Sequence, residues 1–273
     1  LAGVAQHGLR PLGPAAVPPR DQAVEPGPPG APAVVLAVAP TLGTEELHTD
    51  LEPLRLHLAR ALGRPVTLLI APSYRAAAEA VVAGRTPYAV LPPATAARAA
   101  AEGPLEVVAV KRVDGSTSSD GFLLVRRDDP ATTVDDLRGR TVCWTDAWSH
   151  TGYLLPRTYL SAHGFDPDRD LVEHWSGNHD QALHDLLDGR CDVAATFSGN
   201  YETAAQRGFP AGRLRILAIT GRSKHDAVVA GPAADPAATA RLRAALLDFD
   251  PGSLGLTLGA ERLTGFDAAP ADY

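Results

Sequence analysis

Thr141-Val142-Cys143-Trp144-Thr145-Asp146-Ala147-Trp148-Ser149-His150-Thr151-Gly152-Tyr153 is the stretch on which the reading of the fold turns. Residues 141–144 have the short apolar character of a buried strand. A polar loop follows, and the hydroxyl-bearing residues from Ser149 open a helix-period segment that runs to position 163. A strand passing to a helix through capping residues is half of a βαβ unit. The same arrangement recurs outward in both directions. Upstream, strands are expected at 33–40, 65–71, 88–91, 105–110 and 121–126, with helices at 45–62, 74–83 and 94–101. Downstream, strands at 172–175, 192–197, 214–219 and 227–230 alternate with helices at 178–187, 201–206 and 236–247. Strands and helices in this rhythm predict an α/β chain with largely parallel sheets.

Two polar stretches, 114–120 and 220–224, bracket the middle block. They divide the chain into residues 33–114 plus 221–273, lobe I, and residues 115–220, lobe II, joined by two crossovers. The alternative is one continuous doubly wound sheet. Residues 1–32 hold eight of the 24 prolines among Gly and Ala. Such a segment has too few large apolar side chains to offset its ordering entropy, and it reads as a disordered tether.

Composition narrows the function classes. With 25 Lys and Arg against 32 Asp and Glu, the net charge is −7. A chain of that balance lacks the electrostatic grip that nucleic acid or anionic lipid demands. No window approaches the roughly 20 apolar residues of a membrane helix. The absent Gly-x-x-x-x-Gly-Lys and Gly-x-Gly-x-x-Gly loops disfavour nucleotide chemistry, and no Gly-x-Ser-x-Gly elbow supplies a hydrolase serine. Cys143 and Cys191 match no zinc spacing. Buried free thiols, the preferred reading, and a disulfide both stay open. His174, His179 and His184 recur every five residues, but on a helix His179 and His184 point about 140° apart, at roughly 100° per residue. No metal site and no cofactor are expected.

In open α/β sheets, ligands lie beyond the carboxyl ends of the strands. The polar residues of this chain gather there: Thr41, Ser73 and Tyr74, then 145–151, 176–179 and 198–200. Ser149-His150-Thr151 offers hydroxyl, imidazole and helix-start amides to an anion, although ordinary capping accounts for part of that pattern. Ser176-Gly177-Asn178-His179 opens a second helix with a histidine at a flexible turn. The anion is thus expected between two helix beginnings rather than in a cluster of fixed positive charges.

Several of these motifs resemble, in order, those of the phosphate/phosphite/phosphonate-type ABC-transporter substrate-binding proteins. Ser149-His150-Thr151-Gly152-Tyr153-Leu154-Leu155-Pro156 is similar to that family's Ser-Thr-Ser-Gly-Tyr-Leu-x-Pro signature. Ser176-Gly177-Asn178-His179-Asp180-Gln181-Ala182-Leu183, followed by Gly189-Arg190-Cys191-Asp192, resembles its second segment. Tyr74 and Ala89-Val90-Leu91-Pro92-Pro93 resemble its first-lobe elements. His150 stands in place of a threonine, Ala147 of a proline and Pro92 of a glycine, and Trp148 adds an aromatic.

The resemblance implies a two-lobed, type II periplasmic-binding-protein-like fold, each lobe a mostly parallel sheet flanked by helices. It implies a monomeric, non-enzymatic protein that captures a small oxyanion, a phosphonate or phosphite, for an ABC permease. Tyr74, Trp148, Ser149, His150, Thr151, Asn178, His179 and Asp226 form the implied site. Asp226 would accept a hydrogen bond from a protonated oxygen or amine. The principal rival is an enzyme on the same fold using His150, His179 and Asp226 as acid–base groups, and a further one is a ligand-sensing partner of a signalling protein. Service to a permease implies an extracytoplasmic location. The visible start carries no export signal, so a true start at Leu1 would place the chain in the cytoplasm.

Overall fold

A computed structural model describes residues 32–252, 262–270 and 273. The expected tether falls outside the described residues apart from its last position. Among the described residues, eleven strands form two sheets. In the first, β1 (Val34–Val38), β2 (Val66–Ile70), β3 (Tyr88–Leu91), β4 (Glu106–Val113), β10 (Ala227–Ala230) and β11 (Leu263–Asp267) lie in the order β2-β1-β3-β10-β4-β11. In the second, β5 (Ser118–Arg126), β6 (Thr141–Trp144), β7 (Val172–Trp175), β8 (Val193–Phe197) and β9 (Leu214–Lys224) lie in the order β7-β6-β8-β5-β9. Both sheets therefore follow one plan. The first strand lies between the second and third, and the strand arriving by a crossover (β10 or β5) is inserted between the third and the fourth (β4 or β9), with β11 added beyond β4 in the first sheet.

This insertion corrects the expectation of mostly parallel sheets. β1 pairs β2 and β3 in parallel, and β6 pairs β7 and β8 likewise. The crossover strands re-enter from the opposite lobe and run antiparallel to both neighbours. The two-lobed architecture stands, with each sheet mixed.

Alternation of side chains buries both faces of each sheet. In lobe I, Leu51, Leu54 and Leu58 of α1 (Thr44–Leu62) and Leu242 and Leu246 of α7 (Pro236–Leu247) cover one face. The small residues Ala77, Ala78, Ala96 and Ala99 let α2 (Tyr74–Val82) and α3 (Pro93–Glu102) close on the other. In lobe II, Leu160 of α4 (Leu155–Ala162) covers one face, while Leu183 and Leu186 of α5 (His179–Leu187) cover the other.

Of the two polar stretches, residues 118–120 and 220–224 are ordered strand, while 114–117 form the turn before them. Ser118↔Lys224, Asp120↔Arg222 and Gly121↔Gly221 pair as an antiparallel ribbon, so the crossover is held by backbone hydrogen bonds and needs no apolar pattern.

Cys143 and Cys191 form a disulfide with Cα atoms 5.7 Å apart, correcting the preference for free thiols. Their separation of 48 residues carries no local signal. They meet because β6 and β8 are neighbours, with Val142 opposite Val193. The bond closes a loop containing both helix starts singled out above.

Candidate functional site

Between the lobes lies a cavity of about 60 Å³. At roughly 10–15 Å³ per water-sized occupant it holds on the order of five non-hydrogen atoms. Lobe I contributes Thr41, Tyr74 and Lys111, lobe II contributes Ser149, His150, Thr151 and His179, and the return crossover contributes Ser223, Lys224, His225 and Asp226. Six of the eight expected site residues thus line one cavity: Tyr74, Ser149, His150, Thr151, His179 and Asp226.

The lobe II wall is built on β6. After Trp144 the chain turns through Asp146, and a π-helical turn, His150–Leu154, leads into α4. The Ser149 hydroxyl accepts the Gly152 amide at 3.0 Å, so it is the N-cap. The first-turn amides of such a helix lack intrahelical acceptors and carry the positive end of its dipole. Gly152 is required: a Cβ there would lie 1.8 Å from Thr145 Oγ1. His150 Nδ1 lies 2.7 Å from Ser223 Oγ, which also lies 3.0 Å from the Lys224 carbonyl. Burial lowers the pKa of His150.

His179 begins α5 after the positive-φ turn at Gly177 (φ 88°). Its Nδ1 is 3.1 Å from Thr196 Oγ1, and Phe197 meets the ring edge-on at 4.9 Å. Asn200 clamps the same corner, donating to Thr196 Oγ1 at 3.0 Å and to the His179 carbonyl at 3.2 Å. Burial, reinforced by the nearby Arg207 guanidinium, pushes the His179 pKa down to about 3. The ring is therefore neutral near pH 7 and contacts a ligand as a dipole.

This has a measurable consequence. Below pH 6.5 the unfolded chain protonates this histidine while the folded chain does not, so folding loses stability as pH falls from 6.5 toward 3. Its contribution approaches about 1.4 kcal/mol per pH unit. Glu46 and Asp146, whose pKa values burial raises, act in the opposite sense near their own titrations. His179→Gln is expected to flatten the decline in Tm between pH 6.5 and 5, as read by calorimetry. An unchanged slope would contradict the assignment.

Two expected residues lie elsewhere. Asn178 is the N-cap of α5, its side chain accepting the Gln181 amide at 2.8 Å. Trp148 packs onto the α2–α3 face of lobe I under the Arg98 guanidinium, 5.2 Å from its ring centroid. It belongs to a set of contacts that fasten the lobes. Thr95 Oγ1 donates to the Trp148 carbonyl at 3.1 Å, and Arg98 to the Ala147 carbonyl at 2.9 Å. The His179 amide donates to the Thr41 carbonyl at 3.0 Å, and the Gly43 amide to Asp180 Oδ2 at 3.0 Å. Gly43 caps α1 without a side chain, so Asp180, held by Arg207, supplies that cap from the opposite lobe.

One amide of the second helix start, that of His179, is engaged by the Thr41 carbonyl across the lobes. Two ammonium groups that the sequence reading did not single out, Lys111 and Lys224, also line the cavity. Each lies at a polar strand end in the sequence, and only the pairing of β4 with β10 and of β5 with β9 brings them inward. Tyr273 was also missed. Its hydroxyl donates to the His225 carbonyl at 2.8 Å, and its ring lies 5.7 Å from Lys224 Nζ.

Cys143, His174 and Asp185 cluster closely enough to suggest a metal. The sulfur is committed to the disulfide, and Asp185 receives Ser176 at 2.8 Å, Gln181 at 2.8 Å and Arg190 at 2.8 Å. These bonds tie the β7–α5 turn to its helix. No helix among the described residues is long and apolar enough to cross a membrane.

Comparison with known proteins agrees with this geometry. A family model described as an ABC transporter, phosphonate, periplasmic substrate-binding protein matches residues 36–273. A phosphate-import protein, PhnD of Mycolicibacterium smegmatis, is 26% identical over 176 residues, 60% of this chain and 54% of that protein. The tetrathionate sensor histidine kinase TtrS of Salmonella typhimurium is 34% identical over 122 residues, 43% of this chain and 21% of that one. The chain thus spans about half the length of the first relative and a fifth of the second. Among solved structures, the binding component of a Pseudomonas aeruginosa ABC phosphonate transporter superposes with TM-score 0.79 at 17% identity, covering 88% of this chain and 82% of that one. PhnD1 of Prochlorococcus marinus in complex with methylphosphonate gives 0.76 at 15% identity, covering 88% and 93%. At such identities these likenesses show the fold.

Proposed function

This chain belongs to the phosphonate-type periplasmic substrate-binding family of ABC transporters, and on that premise we propose that it captures a small phosphonate-type oxyanion between its lobes for an ABC permease. The enzyme alternative falls with membership, since the family comprises substrate-binding proteins of transporters. What carries the ligand reading is the composition of the cavity wall. Hydroxyl, neutral imidazole, helix-start amide and ammonium groups from both lobes and a crossover converge on a space of oxyanion size.

A ligand bridging these groups binds the closed arrangement better than an open one and shifts the population toward it. The contacts of Asp180, Trp148 and Arg98 then determine how much of the ligand's binding energy closure consumes. The crossovers at 114–120 and 220–224 serve as the hinge between a lobe of residues 33–114 plus 221–273 and one of 115–220. A closed cleft made by one chain suits a monomer. The disulfide supports an extracytoplasmic location, because such bonds persist in oxidising compartments.

Titration calorimetry with methylphosphonate, phosphite and phosphate tests the reading, which expects saturable one-to-one binding to at least one of them. Ser149→Ala is expected to weaken that binding at least about tenfold, through loss of a hydrogen bond and of turn geometry. The same change removes a cap and lowers stability by about 1 kcal/mol. Affinity within twofold of wild type would remove Ser149 from the site. A second reading, the ligand-sensing partner of a signalling protein, is favoured by the similarity to the tetrathionate sensor kinase. Tetrathionate in the same titration separates the two: binding of it alone would replace the transport reading with sensing.

A further inference from the structure

Lys111 is a buried lysine in a ligand cavity, its side chain only 4% exposed. Its Nζ lies 3.5 Å from Asp226 Oδ2, and its amide donates to the Asp226 carbonyl at 2.8 Å across the β4–β10 pairing. Both side chains line the cavity. We propose that Lys111, ion-paired with Asp226 in the cavity wall, sets the ligand class by admitting oxyanions whose non-acidic substituent is uncharged and excluding those that carry an ammonium group. The proposal rests on the phosphonate reading above and deepens it.

The charge balance at the wall carries the argument. An acid alone at position 226 would draw a cationic substituent toward itself. With a lysine ammonium beside it, that carboxylate already has a cation at contact distance. An incoming ammonium would have to displace Lys111 or sit against it, and like charges brought together in a desolvated interface cost several kcal/mol. Lys224 adds a second ammonium to the same cavity, held over the Tyr273 ring. Lys111 is held away from solvent, its side chain only 4% exposed.

The test uses methylphosphonate and a matched pair of larger probes, propylphosphonate and 2-aminoethylphosphonate. The pair has the same number of non-hydrogen atoms and differs in the ammonium, so size cancels. Wild-type protein is expected to bind propylphosphonate at least about tenfold more tightly than 2-aminoethylphosphonate. Lys111→Met is expected to reverse that order and to weaken methylphosphonate. Removing one partner of a buried pair strains the fold, so the double variant Lys111→Met/Asp226→Asn, which leaves no unpaired charge, is measured beside it. There the two larger probes should bind within about threefold of each other. Equal binding of the pair by wild-type protein, or a preference that survives the double substitution, overturns the role of Lys111. If no phosphonate binds folded wild-type protein, the phosphonate reading fails and takes this inference with it.

Discussion

Gly152→Ala is expected to abolish phosphonate binding and to destabilise lobe II. A Cβ at this position would lie 1.8 Å from Thr145 Oγ1, 2.7 Å from Thr145 Cγ2 and 2.8 Å from Thr145 Cβ. All three belong to a short, buried side chain at the end of β6, next to the first turn of the helix that carries Ser149, His150 and Thr151. The turn has no lateral freedom, since the Thr145 amide donates to the Gly152 carbonyl at 3.2 Å while the Gly152 amide donates to Ser149. The extra methyl must push the turn away from the sheet, and overpacking of this kind costs about 1–3 kcal/mol or more. Displacement also misaligns at least two charge-assisted hydrogen bonds, worth about 1.5–3 kcal/mol each. Affinity should therefore fall at least about 100-fold, at 1.4 kcal/mol per tenfold. Adding Thr145→Ala removes the two atoms of Thr145 beyond Cβ and should restore part of both losses. Wild-type affinity in Gly152→Ala would mean that the turn does not touch the ligand.

The second large effect concerns stability. Reduction of the Cys143–Cys191 bond, or its removal by Cys143→Ala/Cys191→Ala, frees a loop with a sequence separation of 48 residues. The chain-entropy model gives about 4 kcal/mol for a loop of that length. For a chain of this size that corresponds to a fall in Tm of roughly 8–16 °C. The bond acts mainly on the unfolded chain, so affinity for methylphosphonate measured well below the lowered Tm should change less than about threefold. Loss of affinity without loss of Tm would mean instead that the bond positions β6 and the loop beyond it.

The elements legible in the sequence were those whose local pattern and tertiary role agree. Tyr88–Leu91, Thr141–Trp144, Ala227–Ala230 and Pro236–Leu247 have the bounds expected from their apolar patterns and flanking turns. Leu263–Asp267 was not legible, because its five residues include Thr264 and Gly265 and its pairing with β4 is irregular. The outer parts of β5 and β9 gave no strand signal because their residues are polar or glycine, although Thr220 and Ser223 are buried there. In the site, the helix-start residues were visible because capping chemistry is local. Lys111 was not: Val110-Lys111-Arg112 reads as a strand leaving the core, and only the inserted β10 turns that lysine toward the cleft. Trp148 shows the converse: an aromatic beside the helix start in sequence packs in the fold onto lobe I under Arg98, outside the cavity lining.

The crystal structure of the complex with methylphosphonate tests the central claim most directly. The account predicts one phosphonate group between the lobes, its oxygens within hydrogen-bond distance of the Ser149–Thr151 turn, of His179 and of Lys111. A phosphonate bound outside the cleft, or held by one lobe while the other stands away, would contradict it.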